Sequence, residues 1–462
     1  MERKPGQGVP AAAENKMGVM PVGRLLFSMS LPMMISMLVQ ALYNVVDSMF
    51  VARISEAALT ALSMAFPIQN LMIAVAAGLG VGLNAVLSRA LGAKDEKGVN
   101  RAATSGILLL TVAAALFVVG GMTVVEPFFR AQTDIAEIVD SGVIYTRIVM
   151  VGSLGLFMQI LFERLLQSTG RTMLTMVSQA TGAIINSILD PVFIFGLLGA
   201  PRMGVAGAAL ATVIAQGCSV LLCLIYMFRK CPEILPGRKD FVLKKEMTAE
   251  MLSQGLALGF MNSIVAAGSV ILQYGINGLG YLTIAAHTTA RRIFLFCVMP
   301  FFSMSMAIST FTSQNRGAGQ PERIRKAIRC AAVYNLTVTG VMILILWTGA
   351  PALVALISGS GNETVLRNGS LYLRIVAPFF IALGTLSNLR NALQGIGQKL
   401  LPVLSSVTEC IGKILFVVVL IPRYQYYAVI FCEPVLWCVM MLQLLYSFYR
   451  NSYIRTAGKK VR

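Results

Sequence analysis

The chain has 462 residues, of which 56% are hydrophobic and only 13% charged, and its mean hydropathy is +0.75. That is far more apolar surface than a soluble core requires, so the composition excludes a water-soluble globule and indicates an all-α membrane protein. A net charge of +18 would point to nucleic acid in a soluble protein; in a membrane protein such charge belongs to the loops, and no nucleic-acid partner is expected.

Residues 1–24 are polar and read as a flexible cytoplasmic segment, and the apolar run after them is too long for a cleaved signal peptide. Apolar runs long enough to span a bilayer, about 20 residues each, begin near residues 25, 57, 103, 142, 173, 205, 251, 282, 328, 371, 400 and 425. They predict twelve transmembrane helices. In the first, Gln40, Tyr43, Asn44 and Asp47 recur at i, i+3, i+4 and i+7, which places them on one helical face. A carboxylate in a membrane helix is costly unless it faces protein or a wet cavity, so Asp47 marks a functional site. Pro32 lies fifteen residues before Asp47 and removes a backbone hydrogen bond, giving the same helix a hinge.

The second helix carries GLGVGLN from Gly78 to Asn84, which close helix packing explains better than phosphate binding. There is no GxxxxGK[ST] motif, so ATP hydrolysis of the usual kind is excluded. The fifth helix contains NSILDP, with Asn186 and Asp190 four residues apart on one face, and IFGLL continues the apolar run beyond Pro191. Asp47, Asp190 and Thr212 of the sixth helix fall at a similar depth near the outer side. Two neighbouring carboxylates do not both stay ionised easily, so a shared proton or a bound cation is expected between them, and either could couple to an ion gradient.

Arg229 to Glu250 form a charged connection, and the second half then repeats the first. SRALGAKDEKGVNRA at Ser88 to Ala102 recurs as SQNRGAGQPERIRKA at Ser313 to Ala327, and LQSTGR at Leu166 as LQGIGQ at Leu393. The domain reading is therefore an N-terminal lobe at 25–228, a cytoplasmic linker at 229–250, a C-terminal lobe at 251–450 and a basic tail at 451–462. Parallel six-helix repeats are an architecture of secondary transporters. Cations cluster after helices two, six, eight and twelve, which puts both termini in the cytoplasm and the chain in the cell membrane as a multi-pass protein.

The carboxylate site is not repeated: Asn186 corresponds to Lys413 and Asp190 to Val417. The second half carries His287, Arg291 and Arg292 on helix eight, Glu409 on helix eleven and Glu433 on helix twelve. Glu409 can neutralise Lys413 four residues on, or pair with one of the helix-eight arginines as a lobe-stabilising clamp. His287, the only histidine, reads as a packed polar residue with a proton carrier as the alternative; a lone histidine excludes most histidine metal sites. The eight cysteines are scattered without a CxxC pair and read as buried hydrophobes. Twenty-six methionines are mostly core filler, although a flexible lining would suit varied apolar ligands.

LP followed by VQALYNVVDSMFV, SRALGAKD, LQSTGRTMLTMVSQATGAIINSILDPVFIFG, GVAGAALATVIAQ and LRNALQGIGQKLLP together resemble the multidrug and toxic compound extrusion (MATE) family, from about Met17 to Arg450. The resemblance implies two pseudo-symmetric six-helix lobes around a central cavity and antiport of organic cations or amphipathic drugs against H+ or Na+. It suggests the DinF-like subgroup, whose cation site looks like Asp47, Asn186, Asp190 and Thr212 here. Gln40, Tyr43, Asn44, His287, Arg291, Arg292 and Glu409 are then expected around the substrate. No cofactor is expected beyond the coupling ion, and the design calls for a monomer in the lipid bilayer. The rivals are a lipid-linked oligosaccharide flippase of the wider superfamily, which would use Arg291 and Arg292, and a membrane-embedded enzyme, for which no nucleophile and base are visible.

Overall fold

A computed structural model describes residues 16–235, 244–359 and 361–455. The described residues form helices and turns with no strand. We number the spans α1 (Val22–Ala52), α2 (Glu56–Gly92), α3 (Glu96–Thr123), α4 (Ala136–Val151 with Ser153–Ser168), α5 (Thr172–Phe195) and α6 (Val205–Lys230). They continue as α7 (Lys245–Asn277), α8 (Tyr281–Gly317), α9 (Pro321–Ser358), α10 (Glu363–Gly395), α11 (Leu400–Tyr424) and α12 (Tyr426–Arg450). Eleven of these are long and apolar enough to cross a membrane and α4 is a pair bent by 44° that makes a twelfth when taken as one span, in line with the twelve runs read from the sequence. Leu116 and Val119 of α3 and Leu344 and Leu356 of α9 are among many large apolar side chains left 61–79% exposed, a surface that only lipid tails can cover.

Local chemistry sets the breaks. Gly152 interrupts α4 where a Cβ would lie 2.4 Å from Val213 Cγ2, so a side chain there would push α6 away. At the repeat-equivalent place α10 is interrupted by the 3-10 turn Ala377–Phe379, which contains Pro378. Asn362 opens α10 as its N-cap, its side chain accepting from the backbone of Thr364 at 3.0 Å and Val365 at 3.4 Å. In α11 the ladder widens into a π-turn over Phe416–Leu420, just past Lys413.

The described residues divide into two compact units. The first unit comprises Leu31–Leu87 and Glu96–Val270; its core gathers Val51, Met72, Phe129, Tyr145, Val149, Ile194 and Ala208, with α5 packed along α6 and α6 along both halves of α4. The second unit takes the chain up to Ser30, Ser88–Asp95 and everything from Ile271 onward, with α8 packed on α9 and α10, and α12 on α10 and α11. The helix α1 changes unit between Ser30 and Leu31, directly before the buried Pro32. Its first turns contribute Leu25, Leu26 and Met29 to the core of the second unit.

Of the segment 1–24, residues 1–15 lie outside the described residues, while Lys16–Val19 are helical and the backbone oxygens of Met17 and Met20 both accept from Arg323 at 2.9 Å. Residues 236–243 of the linker and 456–462 of the tail also lie outside them. The glycine-rich stretch of α2 does serve close packing: a Cβ at Gly82 would lie 2.3 Å from the Met251 carbonyl oxygen, and one at Gly255 2.9 Å from that of Gly78.

Candidate functional site

In the first unit, α1, α5 and α6 bring the predicted residues together. Asp190 is fully buried and Asn186, one turn earlier, is nearly so. The Asn186 amide donates to Asp190 Oδ1 at 3.3 Å and to Thr212 Oγ1 at 3.4 Å, and Thr212 donates in turn to the Ala208 carbonyl at 3.0 Å. Asp47 reaches hydrogen-bond range of Asp190. Two carboxyls make that contact only by sharing a proton or flanking a cation. Three buried oxygens here, Asp47 Oδ1, Asn186 Oδ1 and Asp190 Oδ2, have no hydrogen-bond partner among the described residues. Hard oxygen donors left unsatisfied in this way fit a proton or a small hard cation.

Tyr43 and Tyr145 lie within electrostatic range of the same carboxyls, and Tyr145 accepts from Gln69 Nε2 at 2.8 Å. Gln40 and Asn44, predicted for the same face, are exposed, whereas Tyr43 and Asp47 are half-buried. The i, i+3, i+4, i+7 spacing makes a stripe wider than the contact α1 forms, so only one edge of it meets the carboxylates. Gln69 and Tyr145 were not singled out from the sequence, because a lone glutamine and a lone tyrosine in apolar runs carry no periodic signal.

A second polar centre in this unit also went unread. Glu163 on α4 is buried and accepts from Gln159 at 2.9 Å and Gln179 at 2.7 Å, while its neighbour Arg164 turns to Gln167 at 2.8 Å. In the sequence FERLLQ shows only one carboxylate beside one arginine, with no periodic signal that marks its two amide partners.

The second unit holds a chain of five charged groups. Arg291 on α8 pairs with Glu433 on α12 at 2.5 Å, and Lys413 lies 3.9 Å from the other oxygen of Glu433. Lys413 pairs with Glu409 at 3.0 Å, and Glu409 meets Arg390 of α10 at 3.4 Å. The mutual neutralisation of Glu409 and Lys413 is thus formed. The pairing of Glu409 with Arg291 or Arg292 is not: Arg291 turns to Glu433, Arg292 is exposed, and the arginine that reaches Glu409 is Arg390. Position along the helices does not distinguish Arg291 from Arg292 as a partner for Glu409; how the helices are turned toward one another does.

His287 is buried, its ring edge-on to Tyr372 at 5.0 Å and to Tyr426 at 6.1 Å, with Nδ1 lacking a hydrogen-bond partner among the described residues. Arg390, missed from the sequence, occupies the repeat position of Glu163, as Lys413 occupies that of Asn186. The second unit therefore carries built-in cations where the first carries oxygens. Among the described residues no group of three or more His, Cys, Asp or Glu is placed to hold a metal ion.

The model of the MatE family matches residues 32–192 and 257–419. A probable multidrug resistance protein of Bacillus subtilis, YoeA, is 23% identical over 433 residues, 92% of this chain and 93% of its own length. A Shewanella oneidensis protein named FAD transporter is 25% identical over 368 residues, 79% of this chain and 80% of that one. Among solved structures, an outward-facing multidrug resistance MATE family transporter of the MOP superfamily matches with a TM-score of 0.85 at 22% identity, covering 96% of this chain and 98% of that one. A MOP superfamily transporter from Pyrococcus furiosus, described as having a binding pocket of reverse polarity, matches with a TM-score of 0.84 at 22% identity over 94% of this chain and 97% of that one.

Proposed function

The chain belongs to the MatE family of membrane transporters, and on that footing we propose that it exports small amphipathic molecules, organic cations among them, in exchange for inward H+ or Na+. The observation that carries this reading is the cluster of Asp47, Asn186, Asp190 and Thr212, with its three unsatisfied buried oxygens. A proton or sodium ion entering there neutralises one carboxylate charge, which changes the cost of burying the site and biases the protein between its two access states. Pro32 is the hinge in this scheme, at the point where α1 changes unit. The chain acts as a monomer in the cell membrane with both termini in the cytoplasm, and Tyr43, Gln40, Asn44, His287, Arg291, Arg292 and Glu409 line the substrate path.

The flippase alternative calls for Arg291 and Arg292 acting together on a pyrophosphate, whereas Arg291 is turned to Glu433 and Arg292 is exposed. Proteoliposomes loaded with an organic-cation dye, with sodium and pH gradients imposed separately, test the reading. Export driven by one gradient and abolished in Asp47→Asn is expected; dye movement indifferent to both gradients refutes it.

A further inference from the structure

The charged chain of the second unit contains three cations, Arg291, Lys413 and Arg390, against two carboxylates, Glu433 and Glu409. Within this group of five described residues the positive charges outnumber the negative by one. The excess is not spread evenly: the Lys413 side chain is 2% exposed and that of Arg390 15%, whereas that of Arg291 is 34% exposed. Arg291 is the open end of the chain.

Its guanidinium is also only partly used. Glu433 Oε2 and the Tyr372 hydroxyl are both met through Nη1, and among the described residues nothing hydrogen-bonds its Nε or Nη2. The group rests 4.6 Å over the ring of Phe294, which itself stacks on Trp437 with centroids 5.8 Å apart. The plane of the fork is thereby held while one edge is free, the arrangement that receives a carboxylate or phosphate through two parallel bonds. An apolar body attached to that acid would meet the aromatic surface alongside.

We propose that Arg291 is an anion-recognition point, taking the carboxylate or phosphate group of an amphipathic substrate while Glu433 and Phe294 hold the guanidinium in position. The proposal rests on the export reading above and adds to it the side chain that holds an acid group carried by the substrate. The same chemistry is offered by an anionic lipid headgroup, so the test separates the two sources.

Fluorescence anisotropy of the purified full chain in phosphatidylcholine nanodiscs is read with rhodamine B, which has a free carboxylate, and with its ethyl ester, which does not. Wild type is expected to bind the acid roughly tenfold more tightly than the ester, the effect of one forked charge-assisted contact. Arg291→Gln is expected to abolish that preference, so that acid and ester bind with equal affinity. Arg291→Lys, which keeps the pair with Glu433 but has no fork, is expected to leave about a twofold preference.

Equal binding of acid and ester by wild type overturns the proposal and leaves the export reading standing, as does a preference that survives in both variants. Failure of wild type to bind either dye refutes the export reading and the proposal with it. Phosphatidylglycerol nanodiscs provide the second arm. Displacement of the acid dye alone, seen in wild type and not in Arg291→Gln, supports the anion site with a lipid headgroup as its occupant. Unchanged acid binding supports it with the free amphiphile.

Discussion

Replacing Asp47 with asparagine is the sharpest test of the carboxylate cluster. The side chain keeps its shape, and its new amide can donate to Asp190, whose Oδ2 lacks a partner among the described residues. The fold is therefore expected to persist, with a thermal midpoint no lower than wild type. What is lost is the charge that a proton or sodium ion neutralises. A pH difference of about one unit and a potential of about 100 mV together supply about 3.7 kcal/mol per proton exchanged for a neutral substrate, enough to hold a concentration ratio of roughly 500. Without that coupling the ratio falls toward about one, the value for passive equilibration. The assay is steady-state dye accumulation in inside-out vesicles, with protein level and thermal midpoint measured on the same preparation. A folded Asp47→Asn protein that still sustains a gradient of more than about tenfold refutes the assignment, since that ratio requires about 1.4 kcal/mol from a coupled ion.

Thr212→Val removes one oxygen bonded to the Asn186 amide, and the concentration of driving cation for half-maximal export is expected to rise about tenfold at unchanged maximal rate, the effect of losing one hydrogen-bond partner in a buried site; cation titrations in proteoliposomes check it. Lys413→Met breaks a buried pair in which Glu409 retains Arg390 and Glu433 retains Arg291, so the cost is expected at the lower end of about 3–5 kcal/mol. It is read as a lower thermal midpoint in detergent, and adding Glu409→Gln, which leaves the buried Arg390 without its carboxylate, is expected to lower it further. Pro32→Ala restores a backbone hydrogen bond at the point where α1 changes unit; export is expected to fall several-fold with no loss of thermal stability, and wild-type export by this variant removes the hinge from the mechanism.

Hydropathy and helical period are local properties, and what depends on them alone was legible in the chain. Twelve apolar runs became twelve spans, and the repeated SRALGAKD and LQSTGR segments pointed to a duplicated architecture. The face carrying Asp47 and the pair Asn186 and Asp190 followed from residue spacing, because a helix places i, i+4 and i+7 together wherever it lies. Which helices neighbour one another, and how each is turned about its axis, depends on packing between different segments of the chain. That decided that Arg291 meets Glu433 while Glu409 meets Arg390, that Gln69 meets Tyr145, and that Glu163 is buried between two glutamines. Charges at similar depth are interchangeable in a sequence. Only the rotation of one packed helix against another makes them distinct, since a change of about 100° in helical phase, one residue, carries a side chain from its partner to the opposite flank.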